Sequence, residues 1–474
     1  MRRLAGLVVV ALLAGCGSDA EPPAPVLVPG GGITGNAKLS GYLNVYVIDA
    51  RSKAPIMAAT VNAGGKTLMT DATGLARFGM NKDKVSGPAQ VSIGAASYIN
   101  QTWYDVDAPN LTVALAPQTA GDIPTATVKG TVDGWSGIPL PPMGHIKLAI
   151  VAFSLKDLTA PEAALYTMQG TGGGTFAIPR NGCFAGDGGP LGMLGTPAEC
   201  AYELKSRTGA QALYVMVFDY DTNGSFTNRA DDSAKLIGFG FKRGMSLTMG
   251  ATMEGVSVPI TASTVMNVRT SGGTMKIAGL DSEQVIPVLV LGEPEGVIPI
   301  FLPPIIAKMA TPRDPDVPPL SGELGSAWFD FILTAAPSAT MAGPPSAISA
   351  VRGFKLTGTP TLPEYLALPT TIAVSGSNLT FGVSTGAVSY FGALRGEGAM
   401  ADAWQVVMLD PARVTYPMPN PADLGGVGSA LPVGKINVNL SAADVPGFNP
   451  REFKSEDGTR TATRVSTNTG SFTR

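Results

Sequence analysis

The side chains best placed to do chemistry lie in Phe218-Asp219-Tyr220-Asp221-Thr222-Asn223-Gly224, where Asp219, Asp221 and Asn223 alternate ahead of a glycine. Hard oxygen ligands at that spacing can converge on one Ca²⁺ as the chain turns at the glycine. A twelve-residue calcium loop would place Glu at position 230; this chain has Ala230 there, with Asp231 and Asp232 just after it. No cofactor is expected; a calcium bound here would take Asp219, Asp221, Asn223 and Asp231 as its ligands and stiffen the loop. A metal-free hairpin turn accounts for the same residues, since Asp, Asn and Gly are favoured in turns anyway. His145 is the sole histidine, in Pro141-Pro142-Met143-Gly144-His145. A Ser-His-Asp triad would need it beside an exposed nucleophile. Zinc would need a His/Cys set that the chain lacks. His145 is expected to be a surface or turn residue, and no catalytic residue is assigned. A glycosidase-type carboxylate pair leaves no fixed spacing, so the sequence is silent on one.

Such residues need a scaffold, and the start of the chain says where it is kept. Met1-Arg2-Arg3 is followed by the apolar run Leu4 to Leu13 and then Ala14-Gly15-Cys16-Gly17-Ser18-Asp19. A basic start, a short apolar core and small residues at the break make a secretory signal. The run is too short to cross a bilayer, which takes about 20 residues. Leu13-Ala14-Gly15-Cys16 resembles the lipobox of bacterial lipoproteins. That resemblance implies cleavage after residue 15 and acylation of Cys16, which several acyl chains would hold stably in a membrane. Gly17 in the position after the cysteine implies the outer membrane. With Cys16 lipidated, Cys183 and Cys200 remain, an even pair in an exported chain that reads as one disulfide. Two buried free thiols are the rival reading.

Composition points to the architecture. Among 474 residues, 59 are Gly, 39 are Pro and only 15% are charged, with a net charge of -3. No basic surplus exists to release counterions, so nucleic acid is excluded as a partner. Short apolar runs rich in Val and Thr between Gly/Pro turns predict an all-β fold of tandem β-sandwich domains.

Residues 16–36 read as a flexible Pro/Gly-rich spacer. From 37 to 117 come short alternating strands containing Val47-Ile48-Asp49, Ala54-Pro55-Ile56-Met57-Ala58-Ala59-Thr60-Val61, Thr70-Asp71-Ala72-Thr73-Gly74-Leu75-Ala76-Arg77-Phe78 and Ala96-Ser97-Tyr98. That order resembles the carboxypeptidase regulatory-like domain, a transthyretin-like β-sandwich, which implies a stalk or recognition module without catalytic residues. The family usually has Gly where this chain has Ala58 and Ser97. Physically, Asp71 can close an Asx-turn, Gly74 can take positive φ, and Ala76 and Phe78 then share a strand face. A second sandwich is expected over 125–264, with the disulfide in a long connection. A β-hairpin of edge strands is expected in 265–310 around Gly292–Gly296, a linker over 311–322, a β-rich domain over 323–448 and a loose polar tail over 449–474. Trp103 to Pro117 and Trp404 to Pro419 echo one another as strand, Pro-containing turn, strand.

The function these features imply is a non-enzymatic cell-envelope lipoprotein, a surface scaffold or binder of a glycan or envelope protein. The alternatives are a carboxylate-dependent enzyme on polysaccharide or peptidoglycan, and an accessory lipoprotein of an outer-membrane assembly or export machine.

Overall fold

The computed structural model describes residues 23–80, 83–119, 123–142, 144–156, 184–186, 200–221, 233–262, 266–267, 277, 279–280, 282–300, 315–337, 345–399, 401–455 and 461–474. The elements lying wholly within these residues are β-strands, apart from 3-10 turns at Trp135–Gly137, Gly322–Leu324 and Pro421–Leu424. The all-β sandwich architecture expected from composition is the one observed.

The first body contains β1 (Gly32–Thr34), β2 (Ser40–Gly41), β3 (Leu43–Asp49), β4 (Thr60–Ala63), β5 (Lys66–Met69), β6 (Leu75–Phe78), β7 (Val85–Ser86), β8 (Ala89–Gly94), β9 (Asn100–Val106) and β10 (Asn110–Leu115). Period-two alternation puts Leu43, Val45 and Val47 of β3 in the core with Phe78, Leu111 and Val113. Val61, Val91, Ile93 and Trp103 meet them from the opposing sheet, all at most 1% exposed. Burying each such side chain stabilises the fold by about 1.5–3 kcal/mol. The turn into β6 forms as its residues require. Asp71 Oδ1 accepts from the N–H groups of Thr73 (2.8 Å) and Leu75 (3.1 Å). Gly74 takes φ +74°, where a Cβ would lie 2.6 Å from the Val47 carbonyl oxygen. Ala58 and Ser97 also have positive φ, +59° and +68°.

The second body contains β11 (Thr125–Asp133), β12 (His145–Phe153), β13 (Phe184–Gly186), β14 (Ala201–Arg207), β15 (Gly209–Asp221), β16 (Ser233–Leu247) and β17 (Thr252–Ala262), in the order β13-β12-β15-β16-β17-β11-β14. Both faces of its central strands are covered. Leu213, Val215 and Val217 of β15 face an internal core with Val128, Phe153 and Val258. Tyr214, Met216 and Phe218 face outward onto the next sheet. Continuous apolar runs are what such doubly buried strands need. β18 (Met266–Asn267) leads on from this body.

The remainder is built from β19 (Ser282–Gly292), β20 (Gly296–Pro299), β21 (Asp316–Val317), β22 (Trp328–Ala336), β23 (Ser346–Phe354), β24 (Thr370–Ser375), β25 (Asn378–Gly382), β26 (Ser389–Gly396), β27 (Trp404–Met408), β28 (Thr415–Pro417), β29 (Lys435–Asp444), β30 (Phe453–Lys454) and β31 (Arg464–Thr473). One twelve-stranded sheet, β20-β19-β22-β23-β31-β29-β26-β27-β9-β8-β4-β5, runs through the molecule. It packs on the second body at one end and on the three-stranded sheet β24-β25-β28 in the middle; at the other end it closes the first sandwich. The two echoing segments supply the seam, since β9 and β27 pair in parallel with Val407 opposite Trp103. Trp404 Nε1 donates to Thr102 Oγ1 at 3.0 Å, and Arg413 pairs with Asp105 at 2.7 Å.

Three expectations change. The spacer expected over 16–36 is ordered over its described residues, 23–36: Val28 N–H donates to Thr112 Oγ1 at 2.9 Å, and β1 pairs with β10 and β30. Its glycines serve close approach here, because a Cβ on Gly32 would collide with the Phe453 carbonyl. The tail over 449–474, expected to be loose, supplies β30 and β31, and β31 pairs with both β29 and β23. Its Thr and Ser residues read as polar loop, yet threonine suits a strand with one half-exposed face. The hairpin of 265–310 forms as β19 and β20, with β20 at the sheet edge, but it shares its sheet with strands of the 323–448 region.

Candidate functional site

The outer face of β20-β19-β22-β23 forms the floor of a cavity of about 1060 Å³. Alternation builds it. Leu289 and Leu291 of β19, with Phe329 and Phe331 of β22, point inward to the core shared with the second body. Val288 and Val290, with Val297 of β20 and Ala350 of β23, point outward. Register sets Val297, Val290 and Trp328 in one row, and Val288 beside Asp330 in the next.

Three other parts of the chain wall the floor. Leu155, just after β12, bridges Val297 through two 2.8 Å backbone hydrogen bonds, bringing Lys156 to the rim. That approach requires Gly296, whose φ is +89° and whose Cβ would overlap the Leu155 carbonyl oxygen. From the opposite side Pro446, Thr461 and Thr463 close in, with Ala350 N–H donating to the Thr463 carbonyl at 2.7 Å. Glu293 of the hairpin turn lines the same cavity. A junction of several parts of a chain is a common place for a ligand site.

A β-bulge fixes the polar part of the floor. The register of β22 on β23 shifts between Phe329 and Phe331, so Arg352 and Gly353 together oppose Asp330. Asp330 Oδ2 pairs with Arg352 Nη1 at 3.0 Å, Oδ1 accepts from the Gly353 N–H at 2.9 Å, and Arg352 Nη2 donates to the Ala462 carbonyl at 3.1 Å. Trp328 is half-buried with Lys355 Nζ 5.6 Å above its ring. The cavity thus presents an apolar floor in which the central carboxylate has both oxygens engaged.

Among the residues singled out in the sequence, Asp219 and Asp221 are brought together with His145. All three lie at one end of the β12/β15 pair, with His145 opposite Asp221 in register. His145 Nδ1 is 2.8 Å from Asp219 Oδ1, and Nε2 is 3.5 Å from Asp221 Oδ2. The imidazole, expected to be a bland turn residue, lies between the two carboxylates. Asn223 and Asp231 lie outside the described residues, and among those described no group of three or more His, Cys, Asp or Glu is arranged to hold a metal. Cys16 and Cys183 also lie outside the described residues; Cys200, just before β14, is fully buried.

Two features were not anticipated from sequence. Lys147 is 1% exposed, with Nζ donating to the carbonyls of Trp135 (3.0 Å) and Ile138 (2.8 Å) and lying 4.3 Å from the Trp135 ring centroid. Burial pushes its ammonium pKa below the ordinary lysine value. The spacing of a nucleophile elbow occurs at Gly382-Val383-Ser384-Thr385-Gly386. Ser384, however, is 1% exposed, donates its hydroxyl to the Ala367 carbonyl and leads into strand β26. An elbow exposes its serine between a strand and a helix, so Ser384 is a core hydrogen-bonding residue.

No protein-family profile matches the chain, and no curated protein does. Among solved structures it is similar to the Bacillus anthracis TIE protein, at 8% identity over 68% of this chain and 49% of that one, with a TM-score of 0.13. It is also similar to the pilus adhesin SpaC from Lactobacillus rhamnosus GG, at 11% identity over 80% and 43% of the two chains and a TM-score of 0.15. For two B repeat units of the collagen binding protein of Staphylococcus aureus the identity is 10%, the coverages 92% and 94%, and the TM-score 0.12. The chain spans about half the length of the first. At these TM-scores the likenesses carry no weight for function. No helix among the described residues is long and apolar enough to cross a membrane.

Proposed function

We propose that this protein is a lipid-anchored cell-envelope binding protein. In this reading Cys16 carries the lipid, Cys183 and Cys200 pair, and linked β-sandwiches present the groove over β19, β20, β22 and β23 to a ligand that is held and not transformed. The observation that carries the choice of binding over catalysis is the state of Asp330. A glycosidase-type mechanism needs two carboxylates that can exchange protons or attack. Glu293 and Asp330 both line the cavity, but Arg352 and the Gly353 N–H occupy both oxygens of Asp330. Among the described lining residues, Glu293 is the carboxylate outside such a pair.

The test combines labelling with fractionation. Radiolabelled palmitate is supplied to cells making the wild-type chain or Cys16→Ser, followed by membrane separation and surface-protease shaving. Label in the wild type, recovered with the outer membrane and absent from Cys16→Ser, is the expected result. An unlabelled wild-type protein overturns the anchor, and release of reducing sugar or peptide from purified cell wall by the pure protein overturns the binding reading.

A further inference from the structure

We infer that the groove takes a single-chain amphiphile: an acyl chain laid across the valine floor, with its polar head at the hairpin tip. The inference rests on the reading of this cavity as a binding site and adds the class of ligand.

The floor decides the body of the ligand. Val290 and Val297, the half-buried members of the floor, offer neither donors nor acceptors, and Val288 and Ala350, each 1% exposed, back them with more apolar side chains. Of the polar groups set among them, both oxygens of Asp330 accept, from Arg352 Nη1 and the Gly353 N–H, and Arg352 Nη2 donates to the Ala462 carbonyl, while Arg352 Nε has no partner but is itself buried. A hydroxyl-rich sugar on this surface would give up water without receiving hydrogen bonds in return, and unpaired polar groups are what binding penalises most. An apolar chain loses nothing there and removes both surfaces from water. Dimensions agree with this. The row Val297, Val290 and Trp328 crosses three strands, two spacings of about 4.8 Å, or about 10 Å from β20 to β22. The cavity of about 1060 Å³ lies at the upper end of ordinary small-molecule sites.

The mouth decides the head. Among the described residues, the charged lining groups outside the Asp330–Arg352 pair are Lys156 and Glu293, both exposed, and both lie by the hairpin turn. Lys156 is brought there by the Leu155 bridge to Val297, and Glu293 belongs to the turn itself. A polar head resting there keeps its water while the chain runs inward toward Trp328. Sequence alone hides this arrangement because the three contributing segments are more than a hundred residues apart at their extremes.

The full chain carrying Cys16→Ser needs no detergent, so it can be titrated with 11-(dansylamino)undecanoic acid and followed by dansyl fluorescence. Saturable binding is expected, displaced by lauric acid and not by an oligosaccharide such as maltohexaose or chitohexaose. Val290→Thr with Val297→Thr keeps side-chain volume and places hydroxyls on two half-buried floor positions; about tenfold weaker binding is expected, with an unchanged melting curve as the folding control. Lys156→Glu should weaken the dansyl acid while leaving the neutral probe monolaurin unaffected. Binding that is insensitive to the floor substitutions overturns the inference. Oligosaccharide binding that the floor substitutions abolish overturns the ligand class but leaves the binding reading standing. No saturable binding of either class removes both.

Discussion

The two ends of the twelve-stranded sheet put the same architecture to different uses. At the first-sandwich end, the outer face of β4, β8 and β9 carries Asn62, Ser92 and Thr102, and these close on polar partners. Ser92 bonds Thr102 at 2.9 Å, Asn62 donates to Thr67 at 3.0 Å, and Thr102 accepts from Trp404. At the other end the outer face of β19, β20, β22 and β23 is Val, Ile and Ala, interrupted by the Asp330–Arg352 pair. A polar outer face is complete in itself, whereas an apolar one spread over four strands is stable only if something covers it. Here chain segments bury Val288, Ile332 and Ala350 and leave a cavity over Val290 and Val297.

The largest expected effect comes from breaking the apolar end. Gly296→Val would drive a side chain into the Leu155 carbonyl in a left-handed conformation. It should cost at least about 3 kcal/mol by denaturant melting, and binding of the dansyl probe should go with it. Next, Arg352→Met leaves Asp330 charged and poorly solvated, with only 12% of its side chain exposed. About 2–3 kcal/mol of destabilisation is expected in the same assay, less than for a fully buried pair because Arg352 keeps 26% exposure. At the polar end, Thr102→Val removes the acceptor of the Trp404 N–H and should cost about 1–2 kcal/mol, whereas Ser92→Val in the same chain adds little further, the pair already being broken.

Smaller still are the backbone positions. Ala58→Gly and Ser97→Gly relieve left-handed residues and should each raise stability by about 1 kcal/mol, read as a shift in denaturant midpoint.

Acid should act on the first body. Burial works against the charge on Asp49, but the Ser52 and Arg51 N–H groups and the Tyr98 hydroxyl outweigh it and hold its pKa below the ordinary value of 3.8. Hydrogen bonds from Thr73 and the Leu75 N–H do the same for Asp71. A folded pKa below the unfolded one gives stability that is complete above the unfolded value and is lost as pH falls through the folded one. Thermal melting should therefore be insensitive to these two groups above about pH 5 and should decline below about pH 4. In Asp49→Asn/Asp71→Asn that decline should be shallower.

Much of this comparison was legible in the sequence, and the unread part has a physical reason. Alternation along Leu43-Val45-Val47 and the Asp71-Gly74 turn announce the first sandwich because their determinants are local. Val285 to Leu291 announces a strand but not a groove: it is apolar at odd and even positions alike, so periodicity cannot say which face meets the core. Asp330 and Arg352 meet only through a bulge, and Lys156 arrives through a bridge to a strand 141 positions later. His145 looked isolated for the same reason, its carboxylate partners lying 74 and 76 positions away on a paired strand. The tail was misread as loose because composition cannot distinguish a Thr-rich loop from a half-exposed strand. Likewise, glycine that brings two backbones together looks the same as glycine that frees one.

Hydrogen–deuterium exchange of the full Cys16→Ser chain, with and without lauric acid, tests the contrast between the two ends most directly. Slower exchange over residues 286–299 and 328–353, with none over 60–69 and 89–94, is the predicted result. Exchange that is unchanged at the apolar end, or slowed equally at both ends, would contradict it.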